Sequence, residues 1–135
     1  MDQHRQQLIK SYQQQLHEKA LEITRLCIEI SSQGIAHAWA HYLGHIDTFE
    51  SDVLPAETDY QDKSSKREPL AKLNVRFHFH DFWESDSIIR EGDERLGEMS
   101  RHIVYLRYLL ARANSPTVKA MATSTLATKK DLGVI

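Results

Sequence analysis

Apolar side chains recur at alternating steps of three and four through two long stretches of this chain. In the first, Ile9, Tyr12, Leu16, Ile23, Leu26 and Ile30 keep that rhythm, with Lys19 where one apolar residue is missing. Glutamine, glutamate, lysine and alanine fill the other positions. A stripe of this period runs along one side of a helix, so the pattern predicts a helix over about 6–31. Gly34 is placed to end it in a left-handed conformation. In the last patterned stretch, Leu96, Met99, Ile103, Leu106 and Leu110 repeat the rhythm and predict a helix over about 93–113. Asn114, Ser115 and Pro116 close it. Ser87 or Asp86 is suited to cap an earlier turn that carries Ile88 and Ile89.

Between these stretches the pattern is less uniform. Ile35, Trp39, Tyr42, Ile46, Phe49 and Val53 continue the three-four steps and predict a second helix over about 35–53, stopped by Pro55. The polar run 51–69 reads as a long exposed loop. Leu73, Val75, Phe77 and Phe79 then alternate with Asn74, Arg76, His78 and His80, the period of a half-buried strand. No second strand is evident to pair with it, and a lone strand leaves its backbone groups unsatisfied. The segment therefore pairs with its twin in a homodimer, lies as a strap on the helices, or is helical through Leu70, Leu73 and Phe77. The helical surroundings favour the last. The fold class that follows is all-α: a three- or four-helix bundle with one long polar loop and a candidate short extended segment near 72–80. One domain spans 1–113. A flexible tail, rich in threonine, alanine and lysine, spans 114–135.

Composition narrows the class of molecule. At 135 residues the chain has the length of one domain able to bury a core without staples. A formal net charge of −2 supplies no field that would draw the whole molecule onto nucleic acid or anionic lipid. The single cysteine, Cys27, has no intrachain partner and suits a reducing compartment. No apolar run approaches the roughly 20 residues of a membrane span, and the polar N-terminus lacks a signal-peptide core. A cytoplasmic protein without membrane contact is expected.

Candidate chemistry concentrates in HAWAHYLGHIDTFE, where His37, His41 and His45 stand four apart. On a helix that spacing aligns three imidazoles on one side. A single straight helix cannot close three ligands around one ion, so His41 and His45 need a third ligand from elsewhere. His102 on the last helix is the candidate. A site of His41, His45 and His102 with one open position suits zinc or another divalent ion holding a water. Glu98, Asp47 or Asp52 is available as an oxygen donor. His78 and His80 form a second pair, two apart.

Two short resemblances bear on these residues. AHYLGHIDTFE and SRHIVYLRYLL resemble the histidine-bearing helices of DinB-like metal-binding four-helix bundles, which would make His45 and His102 ligands. Glu98 stands where that family carries a further histidine one turn earlier. Arg95, six residues and His102 are similar to the arginine–histidine motif of HEPN-type helical ribonucleases. That resemblance implies His102 as acid–base group and Arg95 as phosphate binder.

Phe77, Phe79, Phe82 and Trp83 lie near Lys72 and Arg76, with Asp81, Glu84 and Asp86 directly after. The acidic residues weigh against nucleic acid, and aromatic clusters of this kind anchor protein contacts. On the far side of the expected second helix, Ala36, Ala40 and Gly44 form a track of small residues open to a close helix. No nucleophile, base and orienting group can be assembled from the sequence. The reading is a small non-catalytic interaction or regulatory protein acting through protein contacts as a homodimer. A metal-binding enzyme or sensor is the alternative, and a HEPN-like ribonuclease the third.

Overall fold

The computed structural model describes residues 2–58, 61 and 68–114. The two long rhythms are helices, α1 (Gln3–Ser32) and α2 (Ser85–Ala113). Asp2 caps α1, its carboxylate accepting from the Arg5 amide at 2.8 Å. At the other end the Ile35 amide bonds back to Ile30 O and the Gly34 amide to Ser31 O, each at 3.1 Å. This terminating motif needs a residue at positive φ, and Gly34 sits at +71°.

The all-α bundle is overturned between the helices. Residues 35–53 form no helix. They make strand β1 (Ala36–Leu43), a single 3-10 turn at Gly44–Ile46, and most of strand β2 (Thr48–Pro55). Asp47 closes the turn at φ 48°, ψ 48°, a left-handed conformation that aspartate tolerates better than most residues. The period-two segment is strand β3 (Ala71–Arg76), so the preference for a helix there is also corrected. Its partner is β2, concealed in the expected second helix and loop. The sheet is antiparallel, in the order β1-β2-β3. Among the described residues the fold is α+β, with two helices and three strands. Residues 59, 60 and 62–67 of the expected loop and the tail beyond Asn114 lie outside the described residues.

Three long-range pairs set the helix directions. Arg5 reaches Trp83, Tyr12 reaches Asp93, and Glu22 pairs with Arg107. Both numbers rise together, so α1 and α2 run parallel. Both lie on one face of the sheet, and strand alternation decides which residues meet them. Ala36 and Ala38 of β1, Phe49, Ser51 and Val53 of β2, and Leu73 and Val75 of β3 point inward and are buried. They meet Leu16, Ile23 and Ile30 of α1 and Ile88, Met99 and Leu106 of α2, all fully buried. Each such side chain contributes roughly 1.5–3 kcal/mol of burial free energy. The alanines of β1 have a reason. α1 crosses close above that strand, and Ser31 in its last turn both donates to Ala38 O at 2.6 Å and accepts from Ala38 N at 3.0 Å. The expected track of Ala36, Ala40 and Gly44 on a second helix does not form, because Ala36 and Ala40 lie in β1 and Gly44 in the turn after it.

Candidate functional site

Strand parity places the predicted metal residues on different sides. His41 pairs in register with Glu50 and lies on the outer sheet face, its Nε2 3.0 Å from Glu50 Oε2. The same carboxylate accepts from Asn74 Nδ2 at 2.9 Å. His45 is exposed in the turn. His102 is on α2 beneath the inner face, its Nε2 2.9 Å from Ser51 Oγ. The sheet stands between His41 and His102. Among the described residues, no group of three or more histidine, cysteine or acidic side chains is placed to hold a metal ion.

His102, Ser51 and Cys27 form a buried polar chain, with Cys27 Sγ 3.5 Å from Ser51 Oγ. Ser51 has no exposed surface, and Cys27 and His102 retain 2% and 6%. Burial pulls the His102 imidazole below its ordinary pKa, opposed by the negative charge of Asp52. Burial pushes the Cys27 thiol up, and its bond to Ser51 opposes this. A protonated thiol beside a serine hydroxyl sealed from solvent is no nucleophile. Arg95 does not join His102. Its guanidinium lies 4.6 Å from the Phe79 ring centre and 5.7 Å from that of Trp83, and it donates to His78 O at 2.8 Å. The arginine–histidine spacing thus ends in two separate environments.

Of the four predicted interface aromatics, Phe77 and Phe79 are core residues with 3% and 2% exposure. Trp83 is half-buried, packed edge-on against Phe79. Phe82 is 76% exposed and stacks on His80 at 5.1 Å.

A different surface lies along α1 and β1. Leu21 and Ile28 are 73% and 64% exposed and stand seven residues apart, two turns along one side of α1. Beside Leu21 opens a groove of about 480 Å³ between α1 and β1, walled by His17, Ala20, Thr24, Ala40, Tyr42 and Phe77 among others. β1 is a sheet edge. Thr48, Glu50, Asp52 and Leu54 turn their backbone groups to β1, because Asp47 and Val53 bond across to Phe77 and Leu70 and the direction alternates along β2. Their partners His37, Trp39, His41 and Leu43 are thereby engaged, and Ala38, Ala40 and Tyr42 direct theirs outward. Ser31 satisfies Ala38. The sequence carried signals of this surface: two apolar residues off the α1 core stripe, and a strand AHAWAHYL without lysine, arginine, proline or acid.

Comparison with protein-family models, curated proteins and solved structures finds no match. No helix among the described residues is long and apolar enough to cross a membrane.

Proposed function

We propose that this chain is a non-catalytic protein-interaction module that self-associates through the α1/β1 side. One observation supports the reading above the others: an apolar groove bordered by an open strand edge and continued by Leu21 and Ile28 on α1. Contiguous apolar surface of this kind on a small domain marks a contact site. An edge strand offers a row of backbone donors and acceptors to a partner. The polar chain of His102, Ser51 and Cys27 serves the core, Ser51 Oγ joining His102 Nε2 to Cys27 Sγ.

Leu21→Glu tests the reading. Leu21 is mostly solvated, so the change costs the isolated fold within about 0.5 kcal/mol. Placed in a contact, the same carboxylate is desolvated without a partner. The expected result is a native-like melting curve together with a monomer mass by light scattering, against a dimer for the unsubstituted chain. Equal masses for the two proteins would contradict the reading.

A further inference from the structure

We propose that two copies of this chain join β1 to β1 antiparallel about a two-fold axis at His41, merging two three-stranded sheets into one of six strands. This rests on the self-association proposed above and deepens it by naming the contact and its register.

The two edges of the sheet differ in a way that singles out β1. Natural edges are protected by charged side chains, most often lysine, that make strand addition costly. β3 carries Lys72 and Arg76 in six residues. β1 carries no lysine, arginine, proline or acid in eight. The unprotected edge is also the one beside the apolar groove.

Geometry then fixes the register. In an antiparallel pair only residues whose backbone groups face the partner exchange hydrogen bonds. On the β1 edge these are Ala36, Ala38, Ala40 and Tyr42. Ala38 is occupied in both directions by Ser31. Tyr42 is followed within the strand only by Leu43. Ala36 is buried at the start of the strand, on the far side of Ala38. Among the described residues Ala40 and Tyr42 are therefore the adjacent outward pair left, and one two-fold register uses both. Ala40 faces Tyr42 of the second copy and Tyr42 faces its Ala40, giving four interchain backbone bonds. Pairing Ala40 with its own twin would set Tyr42 against the occupied Ala38. Pairing Tyr42 with its own twin would set Ala40 beyond the strand end.

The side chains suit that register. On the inner face a small residue meets a large one twice, and the groove next to Ala40 has room for an incoming ring. Leu21 overhangs the seam, so the two α1 helices bring their exposed apolar sides together above it. On the outer face His41 meets its twin, each imidazole already held by a Glu50 carboxylate. No pair of like-charged lysines or arginines faces across the seam. An isologous contact of this kind closes on itself and stops at two chains.

The test is directed cross-linking in the full chain. Facing residues of an antiparallel pair are close enough for a disulfide, with Cα atoms about 4.5–5.5 Å apart. His41→Cys is expected to give a covalent dimer under mild oxidation. Trp39→Cys, whose twin lies about four residues away along the strand, is expected to give little, and the buried Cys27 of the parent none. Ala40→Pro removes one outward amide without touching the bonds to β2, and is expected to shift the chain to monomer while it still melts cooperatively. Amide exchange at Ala40 and Tyr42 is expected to slow as protein concentration rises.

A dimer that cross-links at 39 as well as at 41, or at neither, would overturn the register and leave self-association standing. A monomer with fast exchange at both amides would overturn both, and the edge would await a different protein. A monomer with protected amides would overturn the dimer and assign the edge to another segment of the same chain.

Discussion

His102 Nε2 lies 2.9 Å from Ser51 Oγ, linking the middle of α2 to the central strand across the core. Burial lowers the pKa of this imidazole, so the fold favours its neutral form. The unfolded chain takes up a proton near the ordinary histidine value, about 6.5. The contribution to stability is therefore complete above that pH. It is lost as pH falls from there through the lower folded value. Urea midpoints measured between about pH 7 and pH 5 should fall more steeply for the parent than for His102→Gln. Parallel slopes would show that His102 is not held neutral.

Ser51 serves two partners with one hydroxyl, so its removal strands both. Ser51→Ala leaves His102 and Cys27 without their contacts in the core. The expected loss is roughly 1–3 kcal/mol, the cost of an unsatisfied buried polar group. Chemical denaturation measures it. A change below about 0.5 kcal/mol would mean that water or a local shift replaces the hydroxyl.

Gly92 is a glycine for reasons of contact, not helix propensity. Alanine in a helix interior is ordinarily favoured over glycine by about 1 kcal/mol. Here a Cβ would stand 2.4 Å from Tyr12 Cδ1 and 2.6 Å from its Cγ, against a ring fixed by a 2.8 Å bond to Asp93. Overpacking should win, and Gly92→Ala should destabilise by about 1–3 kcal/mol. Combined with Tyr12→Ala, the added cost should largely vanish, a coupling that a double-mutant cycle reads. A stabilised Gly92→Ala protein would show that the two helices are not held this close.

Arg95 holds the segment after β3 against α2. It covers the faces of Phe79 and Trp83 and bonds to His78 O, and only the planar guanidinium does both. Arg95→Lys should cost about 1–2 kcal/mol. It should also alter the near-ultraviolet signal of Trp83. Arg25→Lys, in an exposed pair with Glu29, should cost less than about 0.5 kcal/mol. Comparable losses at the two positions would contradict the packing described for Arg95.

The helices were legible because each keeps one period over many turns, and packing on a sheet demands the same stripe as packing on a helix. The hairpin between them was hidden by what β1 buries. Three of its four inner residues are alanines, cut down by the nearness of α1, while its largest apolar residue, Trp39, faces outward. Ile35, Trp39, Tyr42 and Ile46 consequently fell into a helical rhythm although they share no face. Ser51, polar at the centre of β2, broke the remaining alternation between Phe49 and Val53. It is buried because His102 and Cys27 satisfy it, a partnership formed across 51 and 24 residues of sequence. The alternation from Leu73 to Val75 did announce a strand, and only its partner was missing. The histidine spacing was real but was counted on the wrong element. Steps of four on a strand keep His37 and His41 on one face, opposite the side where His102 lies.

Sedimentation equilibrium of the full chain over a concentration series tests the proposed self-association most directly. The account predicts a mass of twice the 15.6 kDa chain, giving way to the single-chain mass on dilution and for Leu21→Glu at every concentration. A parent chain that stays at the single-chain mass up to several hundred micromolar would contradict it.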